Sequence, residues 1–276
     1  MSKAFLDKAN ENYVSLEEGA TMKEGVRITF MRGFPALYAE ALKNICYVKN
    51  IPFTRVHHPA MGKDKKTGED RQKRLYELTS QTSLPVMWYN DERVRSNWTE
   101  QLALAERIGT GPKLVPDDMV KRARVFGLIA LVAAEDGLIW NSRIQTTPKG
   151  GQKYGKLAGK YGYTPETTKL APKKMIDIIT LLCNWLEAQQ KAGSKYLVGN
   201  SLTAADIYVA TMSYMFKAPS PEMMPRNTRT KYIEMGFGNL LPEVEAAIRP
   251  IFFEHRDYII KTHCEYPINT GGDPIE

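Results

Sequence analysis

Signals for β-strands occur only in the first part of this chain. Before Gly109, short apolar runs of strand length alternate with patterns of helical spacing, whereas the later apolar patterns all have helical spacing. The two parts are separated by Gly109-Thr110-Gly111-Pro112-Lys113, a composition typical of a linker. This change predicts an α/β domain over residues 26–109, a linker over 110–115 and an all-helical domain over 116–276. Residues 1–25 are polar and are predicted to form an N-terminal arm.

The pattern of the first domain predicts the order βαβ, then a short helix, then ββα. Residues 27–31 and 51–56 have strand patterns, and between them Pro35 suits the first turn of a helix that ends near Asn50. A crossover of this size implies that the two strands are parallel. The other elements predicted before the linker are a short helix over 74–78, strands over 85–88 and 93–95, and a helix over 98–108.

The second domain shows several helix starts. Thr203 is predicted to cap a helix in which Asp206 lies at the third position, and Leu202 is predicted to pack against Ile207 as a hydrophobic staple. The other predictions are a helix from Pro116 to about Trp140, helices that begin at Pro165 and Pro242, and a basic loop rich in Gly, Lys and Tyr over 148–163.

Composition and charge exclude several functional classes. The net charge is +7, but the basic residues are spread along the chain without a nucleic-acid recognition motif, so no nucleic-acid binding is expected. The chain has no apolar run of about 18 residues and no signal-peptide core at its start, which predicts a cytoplasmic protein that does not contact a membrane. The three cysteines are far apart and the four histidines form no metal-binding motif, so no metal is expected.

The segment Leu84-Pro85-Val86 is the strongest indication of a ligand site. An X-Pro bond holds the cis form at a penalty of about 0.5–1 kcal/mol, and a cis-Pro85 turn leaves the backbone groups of Leu84 outside the sheet. Ser96 and Asn97 then precede a helix, and Asn97 with Glu100 has the spacing of a capping box. Because N–H groups at a helix start attract carboxylates, these segments suit a small peptide with a free carboxylate. A tight turn followed by an ordinary helix cap is the alternative.

Taken in order, these pieces resemble a soluble glutathione transferase over residues 26–262. The most specific piece is Gly199-Asn200-Ser201-Leu202-Thr203-Ala204-Ala205-Asp206-Ile207, which is similar to the folding motif of that family's helical domain. The resemblance implies the glutathione transferase fold, in which a thioredoxin-like βαβ-ββα domain precedes an all-helical domain. It also implies glutathione as co-substrate, a hydrophobic electrophile as second substrate, and a homodimer.

The resemblance implies a glutathione site on the first domain. The backbone of Leu84, before the expected cis-Pro85, pairs with the cysteinyl unit of glutathione. Family members usually have Glu or Gln followed by Ser before the next helix, and there Ser96 and Asn97 are expected to hold the γ-glutamyl carboxylate. An alignment shifted by one residue places Arg95 and Ser96 there instead, and an arginine pairs directly with a carboxylate.

The position that activates the glutathione thiol departs from the family pattern. The family's Ser or Cys position falls on Ala36, and its Tyr position falls near Arg32. Three candidates stay open, since a thiolate is stabilised by positive charge, by a hydroxyl donor or by a helix N-terminus. They are the Arg32 guanidinium, the Tyr38 hydroxyl, and the backbone N–H groups of Ala36 and Leu37.

The second substrate is expected between the two domains, where pockets for small molecules are common. Met31, Phe34 and Trp140 are the expected apolar walls, and Phe34 is also expected beside glutathione. The implied function is a detoxifying transferase that directs the glutathione thiolate onto an electrophile. The alternative, which Ala36 favours, is a non-catalytic glutathione-binding or protein-interaction module. A thiol–disulfide reductase is disfavoured, because no cysteine occurs between residues 30 and 40.

Overall fold

The computed structural model describes residues 13–146, 155–227 and 237–272, so the start of the predicted arm and residues 148–154 of the predicted loop lie outside it. The chain divides into two compact units. The first comprises Met1–Pro112, Pro219–Ile233 and His263–Glu276, and the second comprises Lys113–Ala218 and Glu234–Thr262. The boundary at Pro112 lies within the predicted linker. The two later segments of the first unit are a correction, since the sequence assigned them to the helical domain.

The first unit is built on a four-stranded sheet of β1 (Tyr13–Val14), β2 (Val26–Phe30), β3 (Phe53–His57) and β4 (Met87–Tyr89). The strand order is β1-β3-β2-β4; β2 and β3 are parallel, as predicted, and β4 is antiparallel to β2. The helices before the linker are α1 (Leu16–Thr21), α2 (Leu37–Val48), α3 (Lys73–Thr79) and α4 (Trp98–Ile108). All five residues of β2 are buried, so this strand lies at the centre of the unit.

The strand predicted over 93–95 is wrong. Arg95 forms only an isolated antiparallel bridge with Met87, through two backbone hydrogen bonds of 2.9 Å. The N-cap of α4 follows at Asn97, so the chain leaves the sheet before a second residue pair forms.

The described part of the predicted N-terminal arm adds a strand, β1, to the edge of the sheet. β1 pairs in parallel with β3, and a Cβ placed on Gly19 in α1 lies 2.5 Å from Val56, so only glycine fits at this contact. The buried Arg27 side chain fixes the arm from within by donating hydrogen bonds to the backbone carbonyls of Gly19, Gly25 and Asn90. Since a polar sequence hides these contacts, composition alone did not indicate that the arm is packed.

The segments around residues 219–227 and 263–272 pack on the first unit through polar contacts. The Ile268 N–H donates to the Met223 carbonyl at 2.7 Å, which joins the two segments to each other. The ammonium of Lys43, on α2, donates to the Asn269 carbonyl and pairs with the Glu265 carboxylate, both at 2.8 Å. A charged anchor therefore holds the end of the described chain against α2.

The second unit is helical in its described part. Its elements are α5 (Met119–Ala133), α6 (Leu138–Thr146), α7 (Gly155–Lys160), α8 (Pro165–Lys191), α9 (Ala204–Met212), a 3₁₀ helix (Ser213–Met215), α10 (Pro242–Ala246) and α11 (Pro250–His263), whose last residue belongs to the first unit. Within the described residues, no helix is both long enough and apolar enough to cross a bilayer.

Two long helices predicted in the second unit are each divided. The helix expected from Pro116 to Trp140 breaks between α5 and α6, where Asp136 has a φ of 64° and a Cβ on Gly137 lies 2.8 Å from the Ala130 carbonyl. The helix expected from Pro242 breaks before Pro250, which begins α11 because its missing N–H is no loss in a first turn.

The predicted cap of α9 is confirmed, and it is part of a larger buried cluster. The Asp206 carboxylate is fully buried and accepts from the Thr203 N–H at 2.8 Å, from the Thr203 hydroxyl at 2.8 Å and from the Leu197 N–H at 2.7 Å. The His255 imidazole of α11 lies 3.1 Å from the same carboxylate. One side chain thus connects the start of α9, the preceding loop and α11.

Asp206→Ala is expected to destabilise the second unit by about 4 kcal/mol, since it leaves several buried donors without an acceptor. The measurement is chemical unfolding followed by circular dichroism. The control is Asp177→Ala, which removes an exposed carboxylate of α8 that pairs with Lys173 and is expected to change stability by less than about 0.5 kcal/mol. Equal effects of the two substitutions contradict the role given to Asp206.

Candidate functional site

The Leu84–Pro85 peptide bond is cis, as the sequence predicted. Directly after it, the Val86 N–H donates to the Thr29 hydroxyl at 2.8 Å, and the Thr29 N–H donates to the Val86 carbonyl at 3.0 Å. These two bonds attach the turn to the central strand β2. Among the described residues, neither the N–H nor the C=O of Leu84 forms a hydrogen bond. The half-buried backbone of Leu84 is therefore available to pair with a ligand.

Gln101 supports this turn from below, and the sequence analysis missed it. Its side-chain amide is buried and donates to the Pro85 carbonyl at 2.9 Å and to the Arg95 carbonyl at 3.2 Å. A polar residue among the apolar positions of an amphipathic helix is the signal that could have revealed it. Gln101 satisfies the carbonyl of Pro85 and so leaves the backbone of Leu84 as the open edge.

The start of α4 lies close to this turn in sequence and is capped as predicted, but without the reciprocal half of a capping box. The Asn97 side chain accepts from the Thr99 N–H at 2.9 Å and from the Thr99 hydroxyl at 2.7 Å. The Glu100 carboxylate pairs instead with Arg93 at 2.8 Å, because that guanidinium is within reach and charged. Ser96 is exposed in front of the helix, whereas the Asn97 oxygen is used by the cap.

The shifted alignment, in which Arg95 holds the carboxylate, is disfavoured by the contacts of this side chain. The guanidinium of Arg95 pairs with Glu92 at 2.5 Å and also donates to the Arg93 carbonyl, and its side chain is only 11% exposed. Glu92 pairs with Arg107 as well, and these neighbouring guanidiniums lower the pKa of its carboxyl. Ser96 is the common member of both alignments and keeps an exposed side chain.

The loop that follows β2 contains the candidates for thiol activation. A turn closed by the Phe34 N–H and the Met31 carbonyl at 3.2 Å carries Arg32 and Gly33, and Gly33 has a φ of +74°. This positive φ at the third position of the turn is typical of a type II turn and favours glycine. Arg32 is half-buried and lies over the Tyr13 ring, with its Cζ atom 5.7 Å from the ring centroid.

The start of α2 follows two residues later. Ala36 is the N-cap residue, and no side chain caps the helix there. The Ala36 N–H donates to the Phe34 carbonyl at 2.9 Å, so of the two N–H groups predicted to face a thiol only that of Leu37 is left for a ligand. Tyr38 is half-buried at the second position of the helix. The positive end of this helix dipole therefore acts next to the same loop as Arg32.

A cavity of about 860 Å³ opens at the carboxyl ends of β2 and β3. Its wall includes Met31 and Arg32 from the loop after β2, and His57 and His58 from the end of β3. Phe34, Leu84, Pro85, Ser96 and Asn97 are not among its lining residues. Sequence reasoning missed the two histidines as wall residues, although parallel strands bring their carboxyl ends to one edge. Within the described residues, no group of three or more His, Cys, Asp or Glu side chains could hold a metal ion.

A buried ion network surrounds Lys43 of α2. Lys43 is within 2.7 Å of Glu40 and 2.8 Å of Glu265, and Arg55 is 3.9 Å from Glu265. Burial acts to lower the pKa of Lys43, but the two carboxylates outweigh it and raise the pKa. Burial likewise acts to raise the pKa of Glu265, but the neighbouring Lys43 ammonium outweighs it and lowers the pKa. Burial raises the pKa of Glu40.

The expected apolar walls belong to different units. Met31 and Phe34 are half-buried residues of the first unit. Trp140, in α6 of the second unit, donates from its indole N–H to the Tyr161 carbonyl at 3.1 Å and makes an edge contact with the Tyr161 ring at 4.8 Å. Their joint role in binding an electrophile stays a prediction.

Comparisons with known proteins agree with this architecture. Residues 158–232 match the family model for the glutathione S-transferase C-terminal domain. No curated protein sequence matches the chain.

Solved structures of glutathione transferases share the fold over most of the chain. One from Bombyx mori is 16% identical, with a TM-score of 0.55 over 91% of this chain and 96% of that chain. One from Methylobacillus flagellatus, with glutathione bound, is 15% identical, with a TM-score of 0.52 over 83% of this chain and 98% of that chain. A rice glutathione transferase in complex with glutathione is 15% identical, with a TM-score of 0.51 over 89% of this chain and 94% of that chain. At these identities the likeness establishes the fold.

Glu265→Gln is expected to destabilise the first unit by about 2 kcal/mol at neutral pH, because it replaces the charged partner of the buried Lys43 by a neutral amide. The effect is limited to about this size because the pair is partly exposed to solvent. The pKa of Glu265 is lowered in the folded state, so its contribution is present above the usual value of 4.5 and is lost as the pH falls through the folded pKa. The difference from the native protein should therefore shrink in acid. Unfolding curves over a pH series measure this.

The matched control for Glu265→Gln is Glu69→Gln, which alters a carboxylate that is 67% exposed and 3.7 Å from Lys73. It should change stability little at any pH in the series. A Glu265→Gln deficit that stays constant as the pH falls contradicts the assignment of the effect to the Lys43 pair.

Proposed function

We propose that this protein, which has the fold of the soluble glutathione transferases and a segment that matches their C-terminal domain, binds glutathione on its first unit and transfers the glutathione thiolate to a hydrophobic electrophile. The observation that carries the proposal is the Leu84 backbone beside cis-Pro85, which forms no hydrogen bond with any residue in the described part of the chain. An extended peptide ligand pairs with such a free strand end through main-chain bonds.

The opposite end of the ligand finds an anion site at the start of α4. The exposed Ser96 hydroxyl and the N–H groups of the first helical turn, next to the positive end of the helix dipole, favour a carboxylate. In this proposal Ser96 holds the γ-glutamyl carboxylate, and Asn97 contributes mainly by capping the helix. Phe34 contributes an apolar side chain beside the ligand.

Thiol activation is assigned to the loop after β2 and to the start of α2. The thiolate is favoured by the charge of Arg32, by the uncapped helix N-terminus at Leu37 and by the Tyr38 hydroxyl. A thiolate held in a fixed position then attacks an electrophile bound against Met31, Phe34 and Trp140. We also propose that the protein is a cytoplasmic homodimer with a role in detoxification. This part of the proposal is based on the resemblance to glutathione transferases.

One observation favours a second candidate function, a non-catalytic glutathione-binding or protein-interaction module. The residue at the N-cap of α2 is Ala36, whose side chain has no group that donates to a thiolate, and its N–H is bonded to Phe34. A protein with this arrangement can hold glutathione without ionising it. Turnover separates the transferase from a module that binds glutathione, since both of these require binding.

Ser96→Ala is expected to weaken glutathione binding about ten- to a hundredfold, because a hydrogen bond to a charged group contributes about 1.5–3 kcal/mol. Titration calorimetry with glutathione measures this. The control is Ser201→Ala, which alters an exposed serine of the second unit and should leave the affinity unchanged. A native protein that does not bind glutathione overturns the transferase and the glutathione-binding form of the module.

If the Arg32 guanidinium stabilises the thiolate, Arg32→Ala is expected to lower the rate of glutathione conjugation to a chlorinated nitrobenzene about tenfold. If the Tyr38 hydroxyl does so, Tyr38→Phe is expected to have this effect. Arg32→Lys keeps the positive charge and serves as the control for the first change. Rates that survive both substitutions assign the activation to the N–H groups of α2. Binding without turnover of any electrophile supports the module instead.

A further inference from the structure

Gly33 lies between Arg32 and Phe34, and distant segments hold both of its backbone polar groups. Its N–H donates to the Thr270 carbonyl at 2.8 Å, and its C=O accepts from the side-chain amide of Asn227 at 2.9 Å. Gly33 is buried and has a φ of +74°, a conformation that glycine adopts without steric cost. The loop after β2 is therefore fixed from outside as well as by its own turn.

The Asn227 amide is the meeting point of these contacts. Besides the Gly33 carbonyl, its nitrogen lies 3.1 Å from the Thr270 hydroxyl and 3.3 Å from the Gly272 carbonyl. A carboxamide nitrogen carries two hydrogens, so three oxygens around it keep both in use. Asn227 thus ties the Gly33 loop to the segment that the Lys43–Glu265 pair holds on α2.

The peptide unit that Asn227 holds also carries the Phe34 N–H, which closes the turn onto Met31 at 3.2 Å. A rotation of this unit therefore moves Arg32 on one side and the entry into α2 on the other. Leu84, by contrast, is attached to β2 through Val86 and Thr29 and has no contact in this chain of bonds. The Arg32–Phe34 loop can therefore change position while the backbone of Leu84, which is proposed to bind the peptide ligand, stays in place.

We infer that Asn227 is a positioning residue of the proposed glutathione site, holding the Arg32–Phe34 loop in the orientation that favours the thiolate. The inference rests on the proposed function. It assigns to the segments around residues 219–227 and 263–272 a part in thiol activation, although they lie far from the loop in sequence. Asn227 acts through Gly33 and does not itself touch the ligand.

The first experiment tests the anchoring without any ligand. Asn227→Ala and Asn227→Asp both remove the donor, and the second keeps the shape of the side chain. Amide hydrogen exchange over residues 31–38 is expected to rise about fivefold in both, as for the loss of one net hydrogen bond. Asn200→Ala and Asn200→Asp, at an exposed asparagine, should leave this exchange unchanged. Exchange that does not rise in the Asn227 variants overturns the inference.

The second experiment tests the positioning role on the bound thiol. Ultraviolet absorbance of the thiolate, followed over a pH series with saturating glutathione, gives the apparent pKa of the thiol and needs no turnover. Both Asn227 variants should raise this pKa and lower kcat about tenfold, while the glutathione affinity changes less than about twofold. Asn227→Gln keeps the donor and should recover part of the loss.

The outcomes separate the inference from the proposed function. A native protein that binds glutathione, with a thiol pKa that the Asn227 variants leave unchanged, overturns the inference alone. Variants that lose thermal stability and affinity together, with the pH profile unmoved, show a merely structural residue and also overturn it. A native protein that does not bind glutathione overturns the proposed function, and the positioning role falls with it whatever the exchange shows.

Discussion

The pairing of Thr29 with Val86 is the interaction on which the first unit depends. Thr29 is fully buried in β2, and its two hydrogen bonds to Val86 start the antiparallel register that places Ile28 opposite Met87. Because β2 also carries β3 in parallel, one strand fixes both the cis-Pro85 turn and the edge at which Arg32 leaves the sheet. A valine at position 29 has the shape of threonine but no oxygen for the Val86 N–H, so a polar residue in the core here serves the turn.

Buried charged side chains help to attach the added segments to this core, beside apolar contacts such as those of Val14 and Leu16 and the buried Ile268. Arg27 holds the N-terminal arm through the backbone carbonyls of Gly19 and Gly25, and Lys43 holds the C-terminal segment through Glu265 and Asn269. Such buried groups contribute little net stability when satisfied and cost several kcal/mol when a partner is removed. These charged groups therefore contribute less to the free energy of unfolding than to fixing one position of the added segments. This is consistent with a site whose loop must be held in one orientation.

The sequence predicted what local patterns control. The order of the elements between residues 26 and 109, except for the strand over 93–95, follows from periodicity that acts over a few positions. The cis-Pro85 turn and the cap at Thr203 likewise follow from a proline and from capping residues. What it did not predict depends on partners far along the chain: the packed arm, the segments that return to the first unit, and Gln101 beneath the turn. The divided helices are an intermediate case, since Gly137 and Pro250 were visible but their effect depends on what packs around them. The residues proposed to hold the ligand, Leu84 and Ser96, were found from local motifs. The hydrogen bond from Asn227 to Gly33, by contrast, has no local signal in the sequence.

The absence of a donor side chain at Ala36 has a consequence for how a thiol is activated on this fold. A hydroxyl at that position contributes one directed hydrogen bond, and the side chain itself sets the geometry of that bond. A helix dipole and a guanidinium act through charge instead, so their effect depends on where the loop holds the sulfur. On the proposed function, activation by Arg32 and the start of α2 is therefore more sensitive to the loop backbone than activation by a serine. The two bonds from Thr270 and Asn227 to Gly33 supply that restraint, and they come from outside the thioredoxin-like sequence. On the proposed function, the alanine at position 36 and the contacts that hold Gly33 belong together, because a site that relies on charge needs its loop held by other segments.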